Sequence, residues 1–276
     1  MFRLDRLKAL VGAAAIALAL GTAAAAQENT PNDPRLVTPG FLTVGTSDPV
    51  YPPWMLNNDP ASGEGFESAL VYALAEELGF ARDQVRWVAL TFEQIIAPGD
   101  KPFDFAINQV SVTAPRAEVV GFSRVYYQPD KAVIALPDSP VVGATRFADL
   151  RGARWGATLG TTDLMYLETV LGITDAAVYD DQAGVFQAMQ AGQIDATVAA
   201  LPTALYATAV QIPEAAIVAI LPADANDQGH GLVFAHGSPL IPWIDAALGR
   251  LIERGTVEAL KTRYLIADPD LPIITE

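Results

Sequence analysis

Phe103 to Tyr127 reads FDFAINQVSVTAPRAEVVGFSRVYY, and this stretch decides what kind of fold the chain adopts. An apolar run, Phe105 to Ile107, stops at Asn108-Gln109. Hydroxyls follow at Ser111 and Thr113, and Arg116 opens an amphipathic turn. Small donors at a strand end beside a guanidinium suit a planar anion, because amides and hydroxyls give short contacts and arginine grips two oxygens at once. A plainer account of the same residues is a strand-to-helix connection with Ser and Thr as helix caps.

Upstream, Phe41 to Gly45 reads as a strand and Thr46 to Pro53 as a loop. Gly65 to Gly79 is a helix with an apolar stripe at Leu70, Ala73, Leu74 and Leu78. Val85 to Leu90 is a second strand, Thr91 to Ile96 a short helix, and Phe103 to Ile107 a third strand. This alternation predicts a parallel sheet covered on both faces. Downstream, Ala132 to Leu136 is a strand followed by a connector, and a second αβ unit runs from Trp155 to Ala209. Another strand lies at Gly231 to Ala235, then helices at Pro239 to Arg254 and Val257 to Tyr264. Two strands about a hundred residues apart thus bracket a central αβ unit, as two crossovers between lobes would. Ligands of such sheets sit at the carboxyl ends of strands, in the crevice. The expected division is residues 1–26 as a leader, 27–134 as the first lobe, 135–231 as the second, and 232–276 as the return to the first.

The leader is expected from Arg3, Arg6 and Lys8, the apolar run Ala9 to Leu20, and small residues at Ala24-Ala25-Ala26. It predicts export through a cleavable signal. The absence of cysteine excludes a disulfide framework, a thiol nucleophile, a Cys-ligated zinc site and a lipidated cysteine at the cleavage point. A protein free in the periplasm, not lipid-anchored, is therefore expected. With 17 basic and 32 acidic residues the chain carries −15; without the leader it has 14 against 31, or −17. That charge argues against nucleic acid and anionic membranes as partners. The two histidines, His230 and His236, flank one predicted strand without the spacing of a metal pair, so neither a metal nor a cofactor is expected. There is no Gly-x-Ser-x-Gly elbow and no phosphate loop.

The order strand, Ser-x-Thr-x-x-Arg, Phe-Ser and aromatic pair resembles the family 3 solute-binding proteins. So do Gly65-Phe66-Glu67, Asp149 through Thr162, and Gly192 through Thr203; the resemblance spans about Leu36 to Leu265. It implies a two-lobed α/β periplasmic-binding-protein fold of type II, with two αβ lobes joined by two crossover strands and a ligand in the cleft. It also implies capture of a small carboxylate-bearing solute, an amino acid or related compound, for the membrane permease of an ABC importer, by a monomer. On this resemblance Arg116 grips the ligand carboxylate with Ser111 and Thr113, and Gln109 lines the pocket. The turn Gly160-Thr161-Thr162 and Asp163 face it from the other lobe, at a helix start whose free N–H groups favour an anion. Thr162 also fits a helix cap. Tyr51 and Trp54, stiffened by prolines, are placed to stack on the ligand or to pack as a lid. Asp48 fits a cation-recognising residue or an Asx turn, and Glu67 a residue near the crevice or a first-turn acid. The chain departs from the family pattern at Ser68-Ala69, where an aliphatic residue and a second acid are usual, and more informatively at Ala200, where amino-acid binders of the family carry an aspartate that receives the α-ammonium. Either another acid such as Asp163 substitutes, or the ligand lacks that amino group. Dehydratases of the same fold make an enzyme with Glu67 or Asp163 as general acid the alternative, and a sensor domain is a third class.

Overall fold

The computed structural model describes residues 28–265 and 273–274. The expected leader lies outside them. Among the described residues ten strands form two five-stranded sheets. The first contains β1 (Leu42–Ser47), β2 (Val85–Leu90), β3 (Phe105–Ala106), β4 (Val120–Tyr127) and β10 (His230–Ala235), in the order β2-β1-β3-β10-β4. The second contains β5 (Lys131–Ala135), β6 (Trp155–Thr158), β7 (Ala177–Tyr179), β8 (Ala196–Ala200) and β9 (Ala216–Leu221), in the order β7-β6-β8-β5-β9. The sheets are mixed rather than wholly parallel. In the first, β10 runs antiparallel to β3 and β4; in the second, β5 runs antiparallel to β8 and β9.

Each sheet is covered on both faces, and side chains alternate accordingly. Phe105 and Phe234 join Leu42, Val44, Phe66 and Leu70 in one core, while their neighbours Ala106 and Val233 join Ile95 and Phe103 in another. In the second lobe Val133 packs with Trp155 and Leu167, and the adjacent Ile134 packs with Phe186 and Met189. The covering helices are α1 (Phe66–Glu77), α2 (Phe92–Ile96), α3 (Ala114–Ala117), α4 (Thr162–Thr169), α5 (Gln182–Gln190), α6 (Leu201–Tyr206), α7 (Ile241–Glu253) and α8 (Thr256–Tyr264).

Pairing puts the crossings a few residues before the expected boundaries. Lys131 to Ala135 pairs along its whole length within the second sheet and His230 to Ala235 within the first. The connections are therefore residues 128–130 and 222–229. The chain end also departs from the expected return to the first lobe: Ile273 bridges Ile220, and the Ile274 amide donates to the Ile220 carbonyl at 2.9 Å. Ile274 is buried in the core of the second lobe, which accounts for the docking of that end there.

Candidate functional site

The carboxyl ends of six parallel strands, β1, β2 and β3 in one lobe and β6, β7 and β8 in the other, border a cavity of about 170 Å³. Ser47-Asp48, Leu90 to Phe92 and Asn108-Gln109 line it from the first lobe; Thr158, Asp180 to Ala183 and Ala199-Ala200 line it from the second.

The wall after β3 is shaped by a buried acid. Gly65 has φ +98°, and a Cβ there would lie 2.5 Å from the Trp54 carbonyl, so glycine is required where the 48–54 loop crosses the start of α1. The next residues divide their tasks: Phe66 enters the core, and Glu67, 0% exposed, points under the cavity wall. Its Oε1 accepts the Gln109 amide at 2.8 Å and the Tyr126 hydroxyl, and its Oε2 accepts the Gln109 side chain. These bonds hold Gln109 at φ +48°, a left-handed conformation unfavourable to a side chain with a Cβ. Burial pushes the Glu67 carboxyl up to about 7, against the opposing effect of the Tyr126 and Gln109 hydrogen bonds. Glu67 therefore does not line the cavity; it positions Gln109, which does.

Ser111 and Arg116 reach the cavity, whereas Thr113 caps α3, its hydroxyl accepting the Arg116 amide at 3.4 Å. The Arg116 guanidinium donates from Nη1 to the Ser111 carbonyl and from Nη2 to the Gly160 carbonyl, both at 2.7 Å. The second of these bonds crosses between the lobes. Burial lowers Arg116 to about 10, with Asp227 and Asp163 opposing, so it remains a cation at neutral pH. On the facing lobe Thr161 is the cap of α4, accepting the Leu164 amide at 3.2 Å. Thr162, the first helical residue, is thereby free to turn its hydroxyl toward Ser111, 3.2 Å away. The capping role expected for Thr162 belongs to its neighbour. Gly160 contributes its carbonyl rather than a cavity surface.

Both aromatics of Tyr-Pro-Pro-Trp bridge the lobes. Trp54 is fully buried, donates from Nε1 to Thr203 Oγ1 at 2.8 Å, and packs edgewise on Phe66, Tyr127 and His230. It is a latch and does not line the cavity. Tyr51 does line it, with its hydroxyl bonded to Gln211 and its ring 5.6 Å from Phe186. Asp48 is exposed at the rim, accepting from Asn58 at 3.4 Å.

The sequence reading missed two groups at the centre. Lys131, 8% exposed, opens β5 and sends Nζ to Thr162 Oγ1 at 2.9 Å, Asp163 Oδ1 at 2.7 Å and Asp227 Oδ2 at 3.1 Å. Burial works against its charge, but Asp163 and Asp227 outweigh it and raise its pKa. Asp227 Oδ2 also accepts the Ser111 and Thr162 hydroxyls, each at 2.9 Å. Burial pushes Asp227 up, yet Lys131, the Gly229 amide and the two hydroxyls hold it at about 2. A lysine heading an otherwise apolar buried strand was the available signal for Lys131; Asp227, in a polar run of acids and amides, offered none. His230 lines the cavity and is held neutral, down to about 3, chiefly by burial. Its Nδ1, Thr158 Oγ1 and Gln182 Nε2 are buried at the cavity without hydrogen-bond partners among the described residues. A bound polar solute would satisfy such groups. Ala200 also lines the cavity, directly opposite Lys131 in the β5–β8 register. Asp163, the expected substitute acid, is already paired with that lysine. Among the described residues no group of three or more metal-ligating side chains is arranged to hold a metal ion, and no helix is long and apolar enough to cross a membrane.

Comparison with known proteins agrees with this architecture. The L-cystine-binding protein TcyJ of Escherichia coli (strain K12) is 27% identical over 267 residues, 95% of this chain and 96% of that protein. The ABC transporter arginine-binding protein 1 of the same organism is 28% identical over 147 residues, 52% of this chain and 57% of that protein. Among solved structures, an ancestral arginine-binding protein bound to arginine superimposes with a TM-score of 0.68 at 25% identity, covering 82% of this chain and 98% of that one. An ancestral amino acid-binding protein described as a precursor of cyclohexadienyl dehydratase gives 0.67 at 24% identity over 82% and 96%, a likeness of fold. The family of bacterial extracellular solute-binding proteins, family 3, matches residues 42–267, and the chain belongs to that family.

Proposed function

We propose that this protein captures a small carboxylate-bearing solute of the amino-acid class in the periplasm and delivers it to the membrane permease of an ABC importer. The observation that carries this reading is the convergence of Arg116 and Ser111 from one lobe with Thr162 from the other on a single interlobe cavity. Arg116 has five N–H donors. Only two are used by the Ser111 and Gly160 carbonyls, so donors remain for a solute carboxylate. The cystine- and arginine-binding relatives support an amino-acid-type solute. Binding rather than turnover is favoured because Glu67, the acid raised closest to neutrality at this site, lies beneath Gln109 and out of reach of the cavity.

Calorimetry with the standard amino acids, L-ornithine and L-cystine tests the reading. Arg116→Ala is expected to weaken the best ligand by about 2–5 kcal/mol, roughly 30-fold to several thousandfold, through loss of a charge-assisted contact. Unchanged affinity in a variant that melts normally would remove Arg116 from the site, and chemical conversion of a bound compound would replace the binder with an enzyme.

A further inference from the structure

Ser111 and Thr162 face each other across the cleft and already hold a carboxylate, the protein's own. Asp227 lies on residues 222–229, the second connection between the lobes. Its Oδ2 takes the Ser111 hydroxyl at 2.9 Å from the first lobe. From the second lobe it takes the Thr162 hydroxyl at 2.9 Å and stands 3.1 Å from Lys131 Nζ. Its Oδ1 accepts the Gly229 amide at 3.0 Å, and its carbonyl accepts from Gln128 at 3.3 Å, on the other connection. Three donors on one oxygen, drawn from both lobes, is the arrangement that a captured carboxylate would adopt.

We propose that Asp227 is an intramolecular occupant of the carboxylate subsite. Without solute it ties Ser111 to Thr162 and holds the lobes together, and an incoming carboxylate competes with it for these donors. The inference rests on reading Ser111, Thr162 and Arg116 as the solute's carboxylate subsite. Charge gives it a consequence for specificity. Arg116 and Lys131 are matched by Asp163 and Asp227, and Asp48, Asp180 and Asp181 add negative charge at the exposed rim, so the cavity holds no spare positive charge before a solute arrives. A solute bearing only a carboxylate therefore brings an uncompensated negative charge toward Asp227. One that carries its own cation does not. Asp227 thus selects against simple carboxylates, a filter set by a residue on the connection rather than on a cavity wall.

Small-angle scattering without any solute tests the bridge directly, on wild type, Asp227→Asn, Asp227→Ala and Ser111→Ala, each checked for folding by circular dichroism. The three variants are expected to show a larger radius of gyration than wild type, because each breaks the Ser111–Asp227–Thr162 tie between the lobes. Equal radii overturn the bridge regardless of what the protein binds. Calorimetry then compares L-glutamine with its des-amino analogue 4-carbamoylbutanoate, whose only charge is the carboxylate, in wild type and Asp227→Asn. The ratio of their affinities is expected to shift toward the des-amino compound by about tenfold, the scale of one charge-assisted contact. An unchanged ratio, or failure of Asp227→Asn to let the des-amino compound bind, overturns the filter. Arg116→Ala, run in parallel, judges the parent reading separately, since the scattering result does not depend on it.

Discussion

Replacing Glu67 by glutamine removes a titration without removing much volume, and the structure sets the size of the effect. The carboxyl ordinarily titrates at 4.5 and in the folded protein near 7, because it is fully buried. Below pH 4.5 it is protonated whether the chain is folded or not. Between 4.5 and about 7 the folded protein keeps a proton that the unfolded chain has released, so rising pH favours unfolding. The stability due to this group is thus fully present at low pH and lost as pH rises through about 7. At 1.36 kcal/mol per unit, the loss is about 3 kcal/mol. Glutamine cannot titrate. It keeps one acceptor for the Gln109 amide and, like the protonated acid, presents a donor on its second atom, so it mimics the neutral form that wild type holds at low pH. Urea unfolding of both proteins at pH 4.5, 6 and 8 should show Glu67→Gln within about 1 kcal/mol of wild type at pH 4.5. It should gain on wild type by about 3 kcal/mol by pH 8. Other titrating groups cancel in the difference because they are common to both proteins. A difference that stays constant across this range would mean that Glu67 ionises like a solvated acid, and would refute its burial beneath Gln109.

Ala200→Asp should tighten binding of α-amino acids about tenfold while leaving their des-amino counterparts unimproved, because it puts an acceptor on the cavity wall. Calorimetry with matched pairs measures it, and equal gains for both series would mean that the new acid meets no solute ammonium. Thr203→Val should strand the buried Trp54 indole N–H and cost about 1–3 kcal/mol of the interlobe contact. Chemical denaturation and solute affinity should both fall, and a variant indistinguishable from wild type in both would show that this bond does not latch the lobes.

Most of the architecture was legible because the buried strands announce themselves. Phe105 to Ile107, Ala132 to Leu136 and Trp155 to Ala157 are apolar runs bounded by polar or turn residues. The two strands the sequence reading passed over, β4 and β9, are sheet edges. As an edge strand β4 needs only one partner and can carry Gly121 and Arg124, so its pattern resembles loop, whereas β9, AIVAIL, is an apolar run that the reading passed over. The mixed direction of the sheets was hidden for a related reason: no residue in β5 or β10 records which way its neighbour runs, and only the three-residue and eight-residue connections between lobes force it.

The site was legible where one residue carries one role and illegible where roles are shared in space. Arg116, Ser111 and Thr162 lie at strand and helix ends and reach the cavity expected of them. Glu67 and Trp54 looked like ligand contacts, but one positions Gln109 and the other latches the lobes, and neither task has a sequence signature. The same holds for Ala200, which suggested a missing acid. Its cross-strand partner is Lys131, on the same face of the sheet, so the position where an acid was expected stands beside a cation. Lys131 is in turn neutralised by Asp163 and by Asp227, thirty-two and ninety-six residues further on. The charge beside Ala200 is therefore set not by one position but by Lys131, Asp163 and Asp227 together. Only the register of β5 on β8 and the path of residues 222–229 bring them together.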